Sequence, residues 1–254
     1  MEINNIPTIF IGKDFTELTS CHSTNGYLAQ LNTDKMAEGA VIATLEQTAG
    51  RGQRGTSWEA EPYQNLTFSI LLKPHFLAVQ EQFLLNMAVA LGIYKALQNF
   101  LQDKAPLSVK WSNDIYYGEQ KIAGILIENA IKSYSLERSI VGIGLNVNQT
   151  QFLHAPNATS LSMIEGQTFD LASVLKNVLV EIEKYYILLR NQSFKTIHQQ
   201  YEATLYRKGQ MHWFKREEVT FRGIIKGVEV QTGQLLMEVD QKIEKFSFKE
   251  IVFL

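Results

Sequence analysis

Residues 50–58 read Gly50-Arg51-Gly52-Gln53-Arg54-Gly55-Thr56-Ser57-Trp58, a stretch with three glycines and two arginines that ends in an aromatic residue. Glycine adopts positive φ angles and lets a backbone approach a ligand closely. Arginine presents a planar fork that matches the oxygens of a phosphate or a carboxylate. The stretch therefore predicts a loop that closes over an anion.

The three glycines fit the pattern G-x-G-x-x-G of dinucleotide-binding folds, but their surroundings do not. That pattern requires a helix directly after the glycines and an acidic residue about 20 positions further on. Here the following residues lack a helical apolar period, and the chain at about that distance reads Ile70-Leu71-Leu72. No Gly-Lys-Ser or Gly-Lys-Thr follows the glycines, which excludes a P-loop. Taken alone, the stretch is also compatible with an ordinary surface turn.

Four other segments accompany this loop. Ser23-Thr24-Asn25 has the composition of a helix start, and residues 40–45 indicate a buried strand that ends next to Gln47. Residues 109–117 continue through a predicted hairpin turn at Gly118 into residues 121–128. Residues 141–148 form a strand pattern interrupted by glycines, which leave room for a ligand or a neighbouring backbone.

In this order the five segments resemble the biotin protein ligases, also called biotin–acetyl-CoA-carboxylase ligases. The motifs of that family are S-T-N, G-R-G-R-x-G-R-x-W, K-W-P-N-D, K-x-A-G-I-L and G-x-G-x-N, and the likeness covers roughly residues 20–150. Gln53 and Thr56 replace arginines of the family pattern, so the loop is less positive and depends on Arg51, Arg54 and backbone N–H groups. Ser112 replaces the proline of K-W-P-N-D.

The resemblance implies an α+β fold of the class II synthetase type, in which a mixed sheet carries helices packed on one face. A small SH3-like β-barrel is expected to follow. We expect the catalytic domain to cover residues 1–205 and the barrel to cover residues 206–254.

Hydrophobic periodicity predicts the individual elements. Strands are expected at residues 8–11, 40–45, 66–72, 108–111, 121–128 and 139–147, and helices at residues 25–36, at residues 82–101 and around the stripe Leu171, Leu175, Val178, Leu179 and Ile182. In the barrel, strands are expected at residues 219–225, 235–239 and 245–248.

The resemblance also implies a reaction in two steps. The carboxylate of biotin attacks the α-phosphate of ATP, and a lysine of a biotin carboxyl carrier protein domain then attacks the biotinyl-5′-adenylate. Lys121 is expected between the biotin carboxylate and the α-phosphate, Arg51 at the same junction, and Lys110 at the phosphates. Outside this context, each lysine on a strand or hairpin edge would be interpreted as a solvated residue that protects the edge.

Three groups of ligand-binding residues follow from the motifs. The biotin-binding residues are expected to be Ser23, Thr24, Asn25, Gln47, Gly52, Lys121, Gly124, Gly142 and Gly144. The nucleotide-binding residues are expected to be Arg51, Gln53, Arg54, Trp58, Asn113, Lys121 and Asn146, with Trp111 as a second aromatic beside the adenylate. Asp114 is expected to bind the Mg²⁺ that accompanies ATP, because this ion takes few protein oxygens.

Each group has a simpler interpretation. Ser23-Thr24-Asn25 could serve only as a helix cap, Asn113-Asp114 is an ordinary turn dipeptide, and Trp58 could be a core anchor for the base of the loop.

Composition restricts the partners. The chain has 254 residues, a formal net charge of −2 and one cysteine. Near-neutral charge argues against nonspecific binding to nucleic acid, and the cysteine count suits a reducing cytoplasm. Neither a signal peptide nor a membrane-spanning run is evident, so no membrane partner is expected. Because the S-T-N motif begins at Ser23, we expect a monofunctional enzyme without an N-terminal helix-turn-helix module and without a DNA partner. Family members often pair edge to edge, which allows a homodimer.

Two other function classes remain open. A lipoate or octanoate ligase or acyltransferase of the same fold is the first alternative, but the transferase needs a nucleophilic cysteine. Cys21 is the single cysteine, and it lies beside His22. Neighbouring residues of a strand point to opposite faces, which argues against a catalytic dyad. A noncatalytic biotin-sensing regulator is the second alternative, and it would need a DNA-binding module.

Overall fold

The computed structural model describes residues 5–53 and 55–254 of the chain. Its main sheet has seven strands in the order β1-β2-β3-β7-β6-β5-β4. β1 and β2 are parallel and all other neighbours are antiparallel, so the sheet is mixed. The strands are β1 (Phe15–Cys21), β2 (Val41–Gln47), β3 (Leu66–Leu72), β4 (Leu107–Lys110), β5 (Asp114–Tyr117), β6 (Gln120–Lys132) and β7 (Ser135–Leu145).

Five helices accompany the sheet: α1 (Thr24–Gln30), α2 (Gln82–Leu97), α3 (Leu161–Glu165), α4 (Leu171–Arg190) and α5 (Phe194–Ala203). A short 3₁₀ turn at Val79–Glu81 precedes α2. α2 and α4 pack on each other and bury one face of the sheet, where Phe68, Ile70, Val141 and Ile143 join the main core. This burial follows from the period of two in β3 and β7, because alternate residues of a strand face the same side.

The opposite face of the sheet carries α1. Leu28 of α1 forms a smaller core with Ile42, Leu71 and Ile140, which are the alternate residues of their strands. α1 has only seven residues and covers only part of this face. The uncovered part of β6 and β7 is therefore available as the floor of a ligand site.

A second sheet of five antiparallel strands follows in the order β11-β10-β9-β8-β12. Its strands are β8 (Met211–Arg216), β9 (Val219–Val228), β10 (Leu235–Val239), β11 (Lys242–Phe246) and β12 (Val252–Phe253). Stacked phenylalanines, including Phe214, Phe221 and Phe246, form its interior. The indole N–H of Trp111 donates to the carbonyl of Gly233 at 2.9 Å, which joins this sheet to the main one.

The predicted α+β class with a mixed sheet and helices is confirmed, and α1 is the helix that lies on the other face. The strand at residues 66–72, the start of the helix at Gln82 and the hairpin turn at Gly118 are confirmed. The helix expected at residues 25–36 ends at Gln30. The division into domains at residues 205 and 206 stays a prediction.

The strand predicted at residues 8–11 is wrong. This segment forms bends, and the N–H groups of Ile9, Phe10 and Ile11 donate to the carboxylate of Glu183 in α4 at 2.6–2.8 Å. A carboxylate that accepts several backbone N–H groups replaces the partner strand that these groups would otherwise need. Sequence reasoning also missed β1, β8 and α5.

Within the two described ranges, no helix combines the length and apolar character that a membrane crossing requires.

Candidate active site

A cavity of about 410 Å³ lies over the floor that β6 and β7 provide. Its walls come from the start of α1, the loop of residues 50–58, the turn between β4 and β5, and residues 249–253 of the second sheet. The predicted site residues that line it are Ser23, Thr24, Asn25, Gln47, Arg51, Gly52, Gln53, Trp58, Lys110, Asn113, Asp114, Lys121, Gly124, Gly142 and Gly144. Asn146 lines a neighbouring cavity, and Arg54 lies outside the described residues.

The start of α1 supplies a buried polar cluster. Ser23 caps the helix, with its hydroxyl accepting from the N–H of Gly26 at 3.4 Å. The N–H of Thr24 donates to Oε1 of Gln47 at 3.0 Å. The hydroxyl of Ser69, on β3, lies 2.7 Å from Oγ1 of Thr24. Capping and lining of the cavity are thus compatible roles for the same segment.

Two glycines of β7 set the depth of the floor. A Cβ atom on Gly142 would lie 2.3 Å from Oδ1 of Asn25, and one on Gly144 would lie 2.2 Å from Cε2 of Trp58. Both distances are far below van der Waals contact, so any larger residue would displace these side chains. The glycines are therefore needed for the close approach of Asn25 and Trp58, which is a common reason for glycine inside a strand.

The loop of residues 50–58 folds back on itself. The N–H of Gly52 donates to the carbonyl of Thr56 at 2.7 Å, and the N–H of Trp58 donates to the carbonyl of Gly50 at 3.0 Å. Gly55 has a φ of +83°, which explains a glycine at the tip. Trp58 then lies against the sheet, with its buried indole N–H lacking a hydrogen-bond partner among the residues that the structure describes.

Lys121 projects from β6 into the cavity. Its Nζ lies 2.7 Å from Oδ1 of Asp114 and 5.4 Å from the centre of the Trp58 ring. The backbone of Lys121 is held by two hydrogen bonds, from its N–H to Asn157 and from the N–H of Thr159 to its carbonyl. The ion pair and the ring contact thus hold the ammonium group, while the two hydrogen bonds hold the backbone from which it projects.

Lys110 is more buried. Its Nζ donates to the hydroxyl of Tyr116 at 3.0 Å and lies 4.5 Å from the centre of the Tyr116 ring and 5.0 Å from that of Phe253. Burial lowers the pKa of Lys110, and the nearby Asp114 opposes that shift. Burial also raises the pKa of Tyr116 to about 12, so its hydroxyl stays protonated in the physiological range.

The turn between β4 and β5 is held by its own polar groups. The side-chain amide of Asn113 donates to the carbonyl of Ile125, and the hydroxyl of Ser112 donates to Oδ1 of Asn113 at 3.0 Å. Trp111 lines the cavity, but its ring stacks on Phe248 of the second sheet with a centroid distance of 5.2 Å. Trp111 thus connects the two sheets at the cavity wall.

A second cavity of about 200 Å³ adjoins the first and shares Ser57, Trp58 and Lys121 with it. Asn146 lines this cavity and is 2% exposed. Its Nδ2 donates to the carbonyl of Thr159 at 3.0 Å, whereas its Oδ1 is buried without a hydrogen-bond partner in the described ranges. A buried acceptor of this kind is costly unless a ligand satisfies it.

Sequence reasoning missed several residues of the site. Glu128 forms hydrogen bonds with both Arg51 and Asn25. Alternate residues of a strand face the same side, so the sequence does indicate that Glu128 shares a face of β6 with Gly124 and Leu126. No local signal identifies Tyr116 or residues 249–253, because the fold brings them to the cavity from other elements.

Cys21 and His22 do not form a dyad. Nδ1 of His22 lies 2.8 Å from Oγ1 of Thr48, and burial raises the pKa of the Cys21 thiol, which disfavours the reactive thiolate. Neither residue lines the two cavities.

Comparisons with known proteins agree in sequence and in fold. The model of the biotin/lipoate A/B protein ligase family matches residues 17–146. The bifunctional ligase/repressor BirA of Bacillus subtilis is 28% identical over 238 residues, which are 90% of this chain and 70% of that protein. The biotin–[acetyl-CoA-carboxylase] ligase of Paracoccus denitrificans is 28% identical over 87% of this chain and 92% of its own length. Among solved structures, the biotin protein ligase from Aquifex aeolicus in complex with biotin and ATP superposes with a TM-score of 0.80 at 28% identity, covering 95% of this chain and 99% of that one.

Proposed function

Because the chain belongs to the biotin/lipoate A/B protein ligase family, we propose that it is an ATP-dependent biotin protein ligase. It activates biotin as biotinyl-5′-adenylate and transfers the biotinyl group to a lysine of a biotin carboxyl carrier domain. The observation that carries this proposal is the meeting of Arg51, Lys110 and Lys121, from three separate segments, around one cavity with a glycine floor.

The first step joins two anions. A carboxylate oxygen of biotin attacks the α-phosphorus of ATP, a new P–O bond forms, and the bond to the β-phosphate oxygen breaks to release pyrophosphate. Fixed cations offset the repulsion between the carboxylate and the phosphate, and such electrostatic stabilisation is often the largest catalytic contribution. We assign this role to Lys121 and Arg51 at the junction of the two substrates and to Lys110 at the phosphates.

In the second step the lysine amine of the carrier attacks the acyl carbon of the mixed anhydride. A C–N bond forms, the C–O bond to the phosphate breaks, and AMP leaves with the electron pair. The attacking ammonium must first lose a proton. The same cations that favour formation of the anhydride stabilise the departing phosphate, so one arrangement serves both steps.

The polar cluster of α1 suits the ureido head of biotin. Ser23, Thr24 and Gln47 provide hydroxyl and amide groups to the cavity, while Gly142 and Gly144 let Asn25 and Trp58 lie close to the sheet and so leave room above these side chains for the apolar body. Each hydrogen bond that an incoming ligand fails to satisfy in a buried site costs about 1–3 kcal/mol. This penalty favours biotin over lipoate or octanoate, which lack the ureido group.

The second cavity suits the adenine base. Its two unsatisfied groups are Oδ1 of Asn146, an acceptor, and the indole N–H of Trp58, a donor. The exocyclic amine and the ring nitrogens of adenine offer the complementary donor and acceptors, and the Trp58 ring offers a stacking surface. Lys121 borders both cavities, which supports a role for it between the biotin end and the nucleotide end.

Replacement of Asn146 with alanine is expected to raise the KM for ATP by about tenfold and to leave the KM for biotin nearly unchanged, since one hydrogen bond is lost at the base. Steady-state pyrophosphate release measures both constants. Asn148→Ala is the matched control, because the side-chain amide of Asn148 bonds to the backbone of Phe169 and lines neither cavity. Equal increases in the two KM values would place Asn146 outside the base pocket.

Asp114 fits a Mg²⁺ ion that arrives with ATP. The residues that the structure describes hold no cluster of three or more His, Cys, Asp or Glu side chains suited to a metal. Mg²⁺ does not need one, because it usually takes one or two carboxylates together with water and substrate phosphates. The carboxylate of Asp114 lines the cavity beside Lys121, and the ion would neutralise phosphate charge there.

The lowered pKa of Lys110 predicts an alkaline weakening of ATP binding. Phosphate binds the charged ammonium, so affinity falls as the pH rises through the pKa of Lys110, which lies below that of an ordinary lysine. In Lys110→Arg the side chain stays charged, and the rise in KM for ATP is expected to move to higher pH. The profiles are measured by pyrophosphate release, with Lys95→Arg on the exposed side of α2 as control. If the KM for ATP depends on pH in the same way in the wild type, Lys110→Arg and Lys95→Arg, Lys110 does not bind the phosphates.

The remaining features of the proposal concern the cellular setting. We infer a cytoplasmic enzyme, in keeping with its use of ATP and its free thiol at Cys21. Its net charge of −2 argues against nonspecific binding to nucleic acid. A homodimer could form through β1, which is an edge strand of the main sheet, and sedimentation analysis would test it.

The discriminating experiment supplies ATP with biotin, lipoate or octanoate and measures pyrophosphate release. The proposal predicts release with biotin alone, followed by incorporation of biotin into a carrier domain. Release with lipoate or octanoate but not with biotin would support the alternative acid ligase, and no release with any acid would contradict the adenylating function.

A further inference from the structure

Glu128 is a charged residue beside the cavity that the catalytic roles above do not use. It lies on β6, and because side chains of a strand alternate, it shares a face with Gly124 and Leu126, which line the cavity. Glu128 is thus two residues beyond the cavity wall, on a rigid strand in the middle of the main sheet.

One oxygen of Glu128 binds two site residues that come from different segments. Oε2 accepts from Nδ2 of Asn25 at 2.7 Å and from Nη2 of Arg51 at 3.1 Å. Asn25 lies in the first turn of α1, whereas Arg51 belongs to the loop of residues 50–58. The carboxylate therefore joins the helix start, the loop and the sheet at a single atom.

The Asn25 amide is held in one orientation by this contact and two others. Its Nδ2 also donates to the carbonyl of Leu126 at 3.2 Å, and its Oδ1 accepts from the hydroxyl of Ser69 at 2.6 Å. Both amide hydrogens are therefore engaged by the protein. Gly142 makes room for this position of the side chain, because a Cβ atom there would lie 2.3 Å from Oδ1.

The Arg51 guanidinium is held at one corner. It has five N–H donors, and Glu128 engages one of its nitrogens, so other donors remain for an anion in the cavity. Arg51 is a loop residue, and its guanidinium gains a fixed direction only from a partner on a rigid element. A planar guanidinium held at one corner presents its other edge in a defined direction.

The ion pair contributes little to the stability of the fold. The side chains of Arg51 and Glu128 are 48% and 40% exposed, and exposed pairs of this kind are weak because of solvent screening. Its effect is therefore expected in the geometry of the site, where small displacements have large consequences for a reacting ligand.

We propose that Glu128 is a positioning residue that orients Arg51 over the acyl phosphate and fixes Asn25 at the biotin end, and thereby retains biotinyl-5′-adenylate until the carrier lysine arrives. This inference rests on the proposed ligase function. Glu128 itself lines neither cavity.

The test compares Glu128→Gln with Glu137→Gln. Glu137 is a matched control because it is also a strand carboxylate in a cation pair, 3.2 Å from Lys132 and 35% exposed, at the far end of the β6–β7 hairpin. The Glu128 variant is expected to raise the KM for biotin and the rate of adenylate dissociation by about tenfold each, as for one lost charge-assisted hydrogen bond. The kcat of adenylate formation is expected to fall as well, because Arg51 is assigned to the reacting centre. Dissociation is followed by rapid gel filtration of enzyme loaded with radiolabelled adenylate.

A combined variant separates positioning from a general structural role. If Glu128 acts through Arg51, then Glu128→Gln adds little to adenylate release in an Arg51→Ala background. A thermal melting curve matching that of the Glu137 variant excludes partial unfolding as the cause. Adenylate retention equal to that of Glu137→Gln, or an undiminished effect in the Arg51→Ala background, would overturn the proposal.

A measurement without ligands distinguishes failure of the Glu128 proposal from failure of the proposed ligase function. Trypsin cleaves after arginine, and loss of the Glu128 contact is expected to speed cleavage after Arg51 severalfold relative to the Glu137 variant. Failure of the ligase function would appear in the wild-type protein as an absence of adenylate. If the Glu128 contact does not hold Arg51, trypsin will cleave the Glu128→Gln and Glu137→Gln variants at equal rates, whatever reaction the wild-type protein catalyses.

Discussion

Replacement of Lys121 with alanine is expected to lower kcat/KM for biotinyl-adenylate formation by roughly a hundredfold to a thousandfold, the range typical for loss of one preorganised charge at a reacting centre. The ammonium group of Lys121 borders both cavities, so it can contact the biotin carboxylate and the α-phosphate together. No other cation lines both cavities among the described residues. Biotin-dependent pyrophosphate release measures the effect.

The structure provides a control on the same strand. Lys132 lies at the far end of β6, is 75% exposed and pairs with Glu137, so Lys132→Ala is expected to retain wild-type activity. The backbone hydrogen bonds of Lys121 to Asn157 and Thr159 do not depend on its side chain, and Lys121→Ala is therefore expected to fold normally. Pyrophosphate release near the wild-type rate in Lys121→Ala would show that the bridging role is wrong.

Replacement of Gly144 with alanine is expected to reduce adenylate formation by about a hundredfold, because displacing a catalytic group by about 1 Å has effects of that size. A Cβ atom at this position would lie 2.2 Å from Cε2 and 2.5 Å from Nε1 of Trp58. The indole must therefore move away from the sheet, and Trp58 lines both cavities. The KM values for ATP and for biotin are both expected to rise, in contrast to the selective effect of Asn146→Ala.

Gly223→Ala tests whether any strand glycine has this effect. Gly223 lies on β9 in the second sheet, where a Cβ atom would meet the flexible end of Met237 at 2.8 Å, and a methionine side chain can move aside. Both variants are compared by thermal melting and by pyrophosphate release. Wild-type activity in Gly144→Ala, with a normal melting curve, would contradict the packing of Trp58 on the cavity floor as a catalytic requirement.

Much of the candidate site could be predicted because its residues occur in short motifs whose composition reflects local requirements. Ser23 caps a helix, Gly55 needs a positive φ angle, and Gly142 and Gly144 need to lack a Cβ atom. The helix cap and the positive φ angle are satisfied within a few residues along the chain, and a glycine inside a strand marks the close approach of another group whichever segment supplies it. Such local requirements are readable from a sequence.

The features that escaped prediction depend on distant parts of the chain. The apolar run at residues 8–11 resembles a strand, but its N–H groups are bound by Glu183, more than 170 residues away. Glu128 ends a predicted strand, and its contact with Arg51 spans 77 residues. Phe253 reaches Lys110 only because β12 pairs with β8 beside the cavity. No periodicity within a single segment contains this information.

The most direct measurement is a crystal structure of the protein with biotinyl-5′-adenylate bound. We predict that Nζ of Lys121 and the guanidinium of Arg51 both lie about 3 Å from oxygens of the acyl phosphate, the distance of a charge-assisted hydrogen bond. The adenine base is predicted to contact Oδ1 of Asn146. A complex in which both cations face bulk solvent, with the anhydride held by other residues, would contradict the account.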